Sequence, residues 1–81
     1  MLYEIAFIKA STYRLRILKS LSEREKTPKT IANELNIRQN NISASLKELR
    51  EHKIVECINP EVKKGRLYRL TDLGKEIFEK L

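Results

Sequence analysis

The sequence predicts a mainly α-helical fold carrying one β-hairpin, on three observations. Apolar residues recur at helical spacing in five segments. Asn36, a residue that tolerates a left-handed backbone, separates two of them. Pro60 and Gly65 interrupt a strand-forming stretch over residues 54–70, as a hairpin loop requires.

Residues 2–9 place Leu2, Ile5, Ala6 and Ile8 at helix-compatible spacings, with Tyr3 and Phe7 adding a second apolar face. A strand also fits this run, but a short helix is the expectation. In residues 12–21, Leu15, Leu18 and Leu21 recur every three residues, Ile17 pairs with Leu21, and Arg14, Arg16 and Lys19 take the outer positions. Ser11 or Thr12 is the cap. The polar residues 22–26 read as a loop. Thr27 then caps a helix over residues 28–35, with Pro28 at its first position and Ile31, Ala32 and Leu35 facing inward. Asn36 ends that helix and Ile37 fills the corner. The next helix, residues 39–52, carries Ile42, Leu46 and Leu49 on one stripe and leaves Asn40, Asn41, Ala44, Lys47 and Glu51 outside it. Strands over residues 54–58 and 67–70 flank a loop at 59–66. The last helix opens at Thr71 and Asp72 and sets Leu73, Ile77 and Leu81 at four-residue intervals, with Gly74 a point of close packing or of lost propensity. Two helices about a tight turn, followed by a hairpin with Lys63, Lys64 and Arg66 at its tip, make a winged helix-turn-helix.

With 81 residues the chain has room for one domain and a modest core. Its formal charge of +6 favours a polyanionic partner, and the excess is not uniform. Residues 11–70 carry +7, while residues 1–10 and 71–81 carry 0 and −1. A single cysteine, Cys57, cannot form an intrachain disulfide, so a cytoplasmic setting is expected. Residues 1–10 include Glu4 and Lys9 and are too short to span a bilayer, so no membrane association is expected.

Catalysis finds no support: His52 is the only histidine, and no serine or cysteine has an identifiable base and orienter. A metal is not expected either, since structural zinc takes four Cys, His or acidic ligands. Nor is any cofactor, because no glycine-rich phosphate loop exists. Cys57 reads as a small hydrophobe on an alternating strand rather than a redox group. Tyr13 and Tyr68 are candidates to line a small pocket at the base of the wing.

The chemistry that remains is recognition of double-stranded DNA. A helix in the major groove needs short donor–acceptor side chains at its N-terminus, where they reach base edges. Gln39, Asn40 and Asn41 suit that role, with Ser43 at the flank and Ala44 toward a thymine methyl. Lys47 suits a phosphate; Lys29, Arg14 and Arg16 are weaker candidates, Lys29 entering with Thr30 because the start of the preceding helix would cross the phosphate backbone. At the wing, Lys63, Lys64 and Arg66 suit backbone or an A·T-rich minor groove, Arg66 being the favoured probe. The competing reading of Asn40 and Asn41 is a solvated helix start, and that of the wing a solvated loop. Leu2, Ile5, Phe7 and Ile8, with Ile77, Phe78 and Leu81, exceed what a small core absorbs, so a homodimer through the terminal helices and a palindromic site are expected. The alternative to DNA recognition is a protein-interaction module or subunit on the same fold.

The stretches FIKASTYRLRILKSL, TIANELNI, ISASLKELREHKIV and GRLYRLTDLGKEI together resemble the small prokaryotic winged-helix transcription regulators of the ArsR and MarR type, particularly compact archaeal members. The resemblance spans residues 7–78. It implies a dimeric repressor or activator whose second motif helix enters the major groove while the wing touches backbone or minor groove. Arg38 stands where that family usually has serine or a similar cap, and Lys53 where it commonly has glycine. The cysteine and histidine clusters of its metal-sensing branch are missing, which argues against metal sensing.

Overall fold

The computed structural model describes residues 1–81 as five helices and one antiparallel hairpin. In order these are α1 (Leu2–Lys9), α2 (Thr12–Leu21), α3 (Pro28–Leu35), α4 (Gln39–Glu51), β1 (Val55–Cys57), β2 (Tyr68–Leu70) and α5 (Asp72–Glu79). The fold is the expected winged helix-turn-helix, mainly α with a hairpin wing. Its strands are shorter than the sequence suggested: the Ile54 N–H closes the end of α4, and Ile58 and Leu67 border the wing loop, where the Leu67 N–H goes to the Asn59 side chain. Val55 pairs with Leu70, Glu56 with Arg69 and Cys57 with Tyr68.

Capping follows side-chain chemistry. Ser11, Thr27 and Thr71 accept from the backbone N–H three residues on, at 3.2, 3.2 and 3.0 Å, fixing the starts of α2, α3 and α5. Asn36 takes the left-handed conformation, φ 55°, and the Ile37 N–H returns to the Ala32 carbonyl at 3.1 Å, so the α3–α4 turn closes in very few residues. Lys53 is left-handed too, φ 63°; there the Ile54 and Lys53 N–H groups bond the carbonyls of Leu49 and Arg50, the paired bonds of a Schellman ending.

The core is one cluster of fifteen buried residues drawn from every helix and both strands, with α4 packed on α2 and α3 and the hairpin closing one end. Ile17, Leu18, Ile31, Ile42, Leu49 and Ile54 are wholly inaccessible. So are Ile8 and Ile77, which corrects their assignment to a subunit interface: each lies inside its own chain. Of the other terminal residues, Leu2, Phe78 and Leu81 are exposed and Ile5 and Phe7 half-buried. Gly74 proves to be a point of close approach, since a Cβ there would collide with the Ile54 carbonyl and crowd Leu70. A second correction concerns residues 22–26. The run is not all loop, because Lys26 forms a β-bridge with Tyr68 and so adds a third segment to the edge of the hairpin.

Candidate nucleic-acid interface

The two ends of the helix-turn-helix and the wing meet around one open groove. It is lined by Thr27, Pro28 and Lys29 at the start of α3, Gln39 and Ser43 on α4, Lys63, Lys64, Gly65 and Arg66 at the wing tip, and Tyr68 on β2. Four of these ten residues are cationic and none is acidic, so the groove lining carries a net positive charge. Of the residues chosen from sequence, Lys29, Gln39, Ser43, Lys63, Lys64 and Arg66 therefore come together. Asn40, Asn41, Ala44 and Lys47 continue along α4 outside the groove, Asn41 half-buried and the others exposed.

The N-terminus of α4 is left chemically open. No side-chain hydrogen bond caps it, because Arg38 occupies the cap position. The Arg38 carbonyl accepts from Asn41 and Ile42, while the preceding N–H groups point out of the helix. Such an end carries a partial positive charge suited to an anion.

The wing is held by its own side chains. Asn59 Oδ1 accepts the Leu67 N–H at 2.7 Å and its Nδ2 donates to the Gly65 carbonyl at 3.2 Å, which closes the loop across its base. Gly65 supplies the left-handed turn at φ 73°. Arg66 donates its Nε to the Val62 carbonyl at 2.7 Å and is half-buried, so this side chain braces the loop as well as facing the groove. Lys63 and Lys64 are the freely exposed cations of the tip. Thr30, expected at phosphate, is half-buried and its hydroxyl accepts from Thr27 at 3.1 Å.

Other candidates are engaged elsewhere. The Arg14 guanidinium lies 3.9 Å from the Phe7 ring centre, donates to the Phe7 carbonyl at 2.9 and 2.7 Å and faces Glu48 at 3.5 Å. Arg16 donates to the Leu35 carbonyl at 2.7 Å, at the end of α3. Both are structural. His52 stacks on Phe7 at 4.0 Å between ring centres, and Tyr3 lies at 6.0 Å beyond it. Tyr13 is not a groove residue; Thr27, Pro28 and Tyr68 are. Thr27 and Pro28 were legible only as a helix start. The wing folding back over that start is a tertiary fact with no local signal. No three His, Cys, Asp or Glu side chains are grouped to hold a metal, and no helix is long and apolar enough to cross a membrane.

A family model described as a helix-turn-helix domain matches residues 10–58, more than half of the chain. The chain belongs to that helix-turn-helix family. Solved structures share its fold. The repressor BigR from Xylella fastidiosa is 24% identical with a TM-score of 0.80, over 99% of this chain and 78% of that one. Mb0332 from Mycobacterium bovis, described as a homodimeric winged helix-turn-helix DNA-binding domain and a possible ArsR-family regulator, is 22% identical with a TM-score of 0.79, over 98% and 73%. A variant of Lactococcus lactis ZitR is 22% identical with a TM-score of 0.78, over 86% of this chain and 49% of that one. The helix-turn-helix chain thus spans about half the length of the ZitR structures. No curated protein sequence matches it.

Proposed function

We propose that this protein is a transcriptional regulator of the ArsR/MarR type that binds double-stranded DNA in a sequence-specific way. The observation that carries the reading is the groove in which Lys29, Gln39, Ser43, Lys63, Lys64 and Arg66 converge with no acidic neighbour. In this reading the open N-terminus of α4 approaches a phosphate, and Gln39, Asn40, Asn41, Ser43 and Ala44 face base edges in the major groove. Lys29, Thr30 and Lys47 flank them on the backbone, Thr30 through its hydroxyl hydrogen, since its oxygen accepts from Thr27 and its N–H is taken by the Thr27 cap. Lys63, Lys64 and Arg66 meet the adjacent backbone or minor groove. A protein-interaction module would suit an acidic or self-covered recognition face, whereas Gln39, Asn40, Ser43 and Lys47 are open to solvent.

The reading includes a homodimer. Leu2 and Tyr3 are 85% and 66% exposed on α1, and Phe78 and Leu81 are exposed at the other end of the chain, on segments with almost no net charge. A two-fold pair would set two α4 helices about 34–36 Å apart and select a palindrome.

The test is selection of duplexes from a random pool, followed by titration of the enriched and a scrambled duplex at two salt concentrations. Preferential binding that weakens steeply with salt is expected. Equal affinity for both duplexes would remove sequence specificity, and no binding at low salt would remove the DNA reading.

A further inference from the structure

Lys26 is the only charged residue buried in the chain, and it lies outside the groove. Its side chain is 1% exposed, and its ammonium donates to Ser20 Oγ at 2.9 Å and to carboxylate oxygens of Glu23 and Glu34, each at 2.7 Å. All three donors are used. Its backbone exchanges two hydrogen bonds with Tyr68, at 3.0 and 2.9 Å. Thr27, the next residue, caps α3 and lines the groove, while Tyr68 lines it two residues beyond Arg66. One residue therefore ties the end of α2, the body of α3 and the returning strand of the wing together.

A buried ammonium is a costly way to gain stability compared with an apolar side chain, so its contribution is geometric: it is satisfied only when α2, the 22–26 segment and α3 stand in one arrangement, and that arrangement fixes the Lys26 backbone to which Tyr68 of the wing is bonded. The wing needs such a constraint. A pair of three-residue strands is marginal alone, and its tilt is set by what it is tied to. We propose that Lys26 is a positioning residue for DNA binding: its three-way clamp and its bridge to Tyr68 hold the wing at a fixed distance from the N-termini of α3 and α4, so that Lys63 and Lys64 reach the same duplex as α4. This inference rests on the DNA reading above.

Two measurements test it, with Lys26→Met and the milder Glu34→Gln as variants. In the free protein, amide hydrogen exchange of Ile58, Leu67 and Tyr68 should speed up roughly tenfold more than that of the α4 core residues Ile42, Leu46 and Leu49. Equal acceleration everywhere would make Lys26 a stabilising residue only. In DNA titrations, Lys26→Met should lower the slope of log affinity against log salt by about 1–2, as losing one or two phosphate contacts does. It should add little in a Lys63→Ala, Lys64→Ala background, because it acts through those lysines. Losses that add, or an unchanged slope, would overturn the proposal; if Lys26→Met does not fold, Glu34→Gln is judged by the same criteria. Wild-type protein that binds no duplex overturns the DNA reading itself. Wild-type binding with both clamp variants unaffected overturns only the role of Lys26.

Discussion

Lys53 shows how a single residue carries the cost of a turn. Its φ of 63° is the conformation glycine adopts freely and an L-residue adopts with strain. Lys53→Gly should therefore raise stability by about 1 kcal/mol, read as a higher denaturant midpoint; a lower midpoint would mean that the lysine side chain contributes more than the strain removes. Gly74 is the converse case. A methyl group there would meet the Ile54 carbonyl, which already accepts from the Thr71 N–H at 3.0 Å. Gly74→Ala should destabilise by about 1–3 kcal/mol in the same measurement, despite alanine's better helix propensity. Both positions were conspicuous in the sequence, as a lysine where a glycine is usual and a glycine inside a helical period. Lys26 gave no such sign. A lysine in a polar run looks solvated, and only the approach of Tyr68 and Glu34, eight or more residues away, makes it a buried group.

At the scale of elements, the joint between the 22–26 segment and α3 is electrostatic, and its pH dependence has a definite sign. The hydrogen bond from Lys26 holds the Glu34 carboxyl below its ordinary value of 4.5, with the charges of Lys26 and Arg24 adding to it. Stability from that ionised group is present above 4.5 and is lost as pH falls through the lower folded value. For Lys26, burial disfavours the ammonium, but the hydrogen bonds and charges of Glu23 and Glu34 outweigh it and raise the group above 10.5. Its contribution is complete below 10.5 and fades as pH rises through the folded value. The stability difference between wild type and Glu34→Gln should thus be constant near neutrality and shrink as pH falls below 4.5; a difference unchanged in acid would show that the pair is energetically idle. Helix positions were legible because apolar period and caps agree at each start. Strand lengths were less so, since β-branched residues extend past the paired segment on both sides. The groove was legible residue by residue but not as a groove, because the closure of the wing depends on Asn59 reaching Leu67 and Gly65 across the loop.

For the whole molecule, the charge distribution and the apolar ends describe one design. The groove is lined by four cations and no acid, while exposed Leu2, Tyr3, Phe78 and Leu81 lie on near-neutral terminal segments. If the chain pairs as proposed, Phe78→Glu should dissociate the proposed dimer, seen as a halved mass in solution at micromolar concentration, and leave the circular dichroism of the folded chain intact. A mass already monomeric in the wild type, with or without duplex, would remove the palindrome as well. Within the interface, Asn40→Ala and Asn41→Ala should relax base preference, each good bidentate contact being worth about 1–3 kcal/mol, and Lys64→Ala should weaken all duplexes alike.

The most direct measurement is amide chemical-shift mapping of the protein titrated with its selected duplex at low and moderate salt. Shifts should concentrate at Lys29, at Gln39, Asn40 and Ser43, and at Lys63, Lys64 and Arg66, three stretches of chain that meet only around the groove. Shifts confined to α1 and α5, or none at any salt, would contradict the assignment of this groove to DNA.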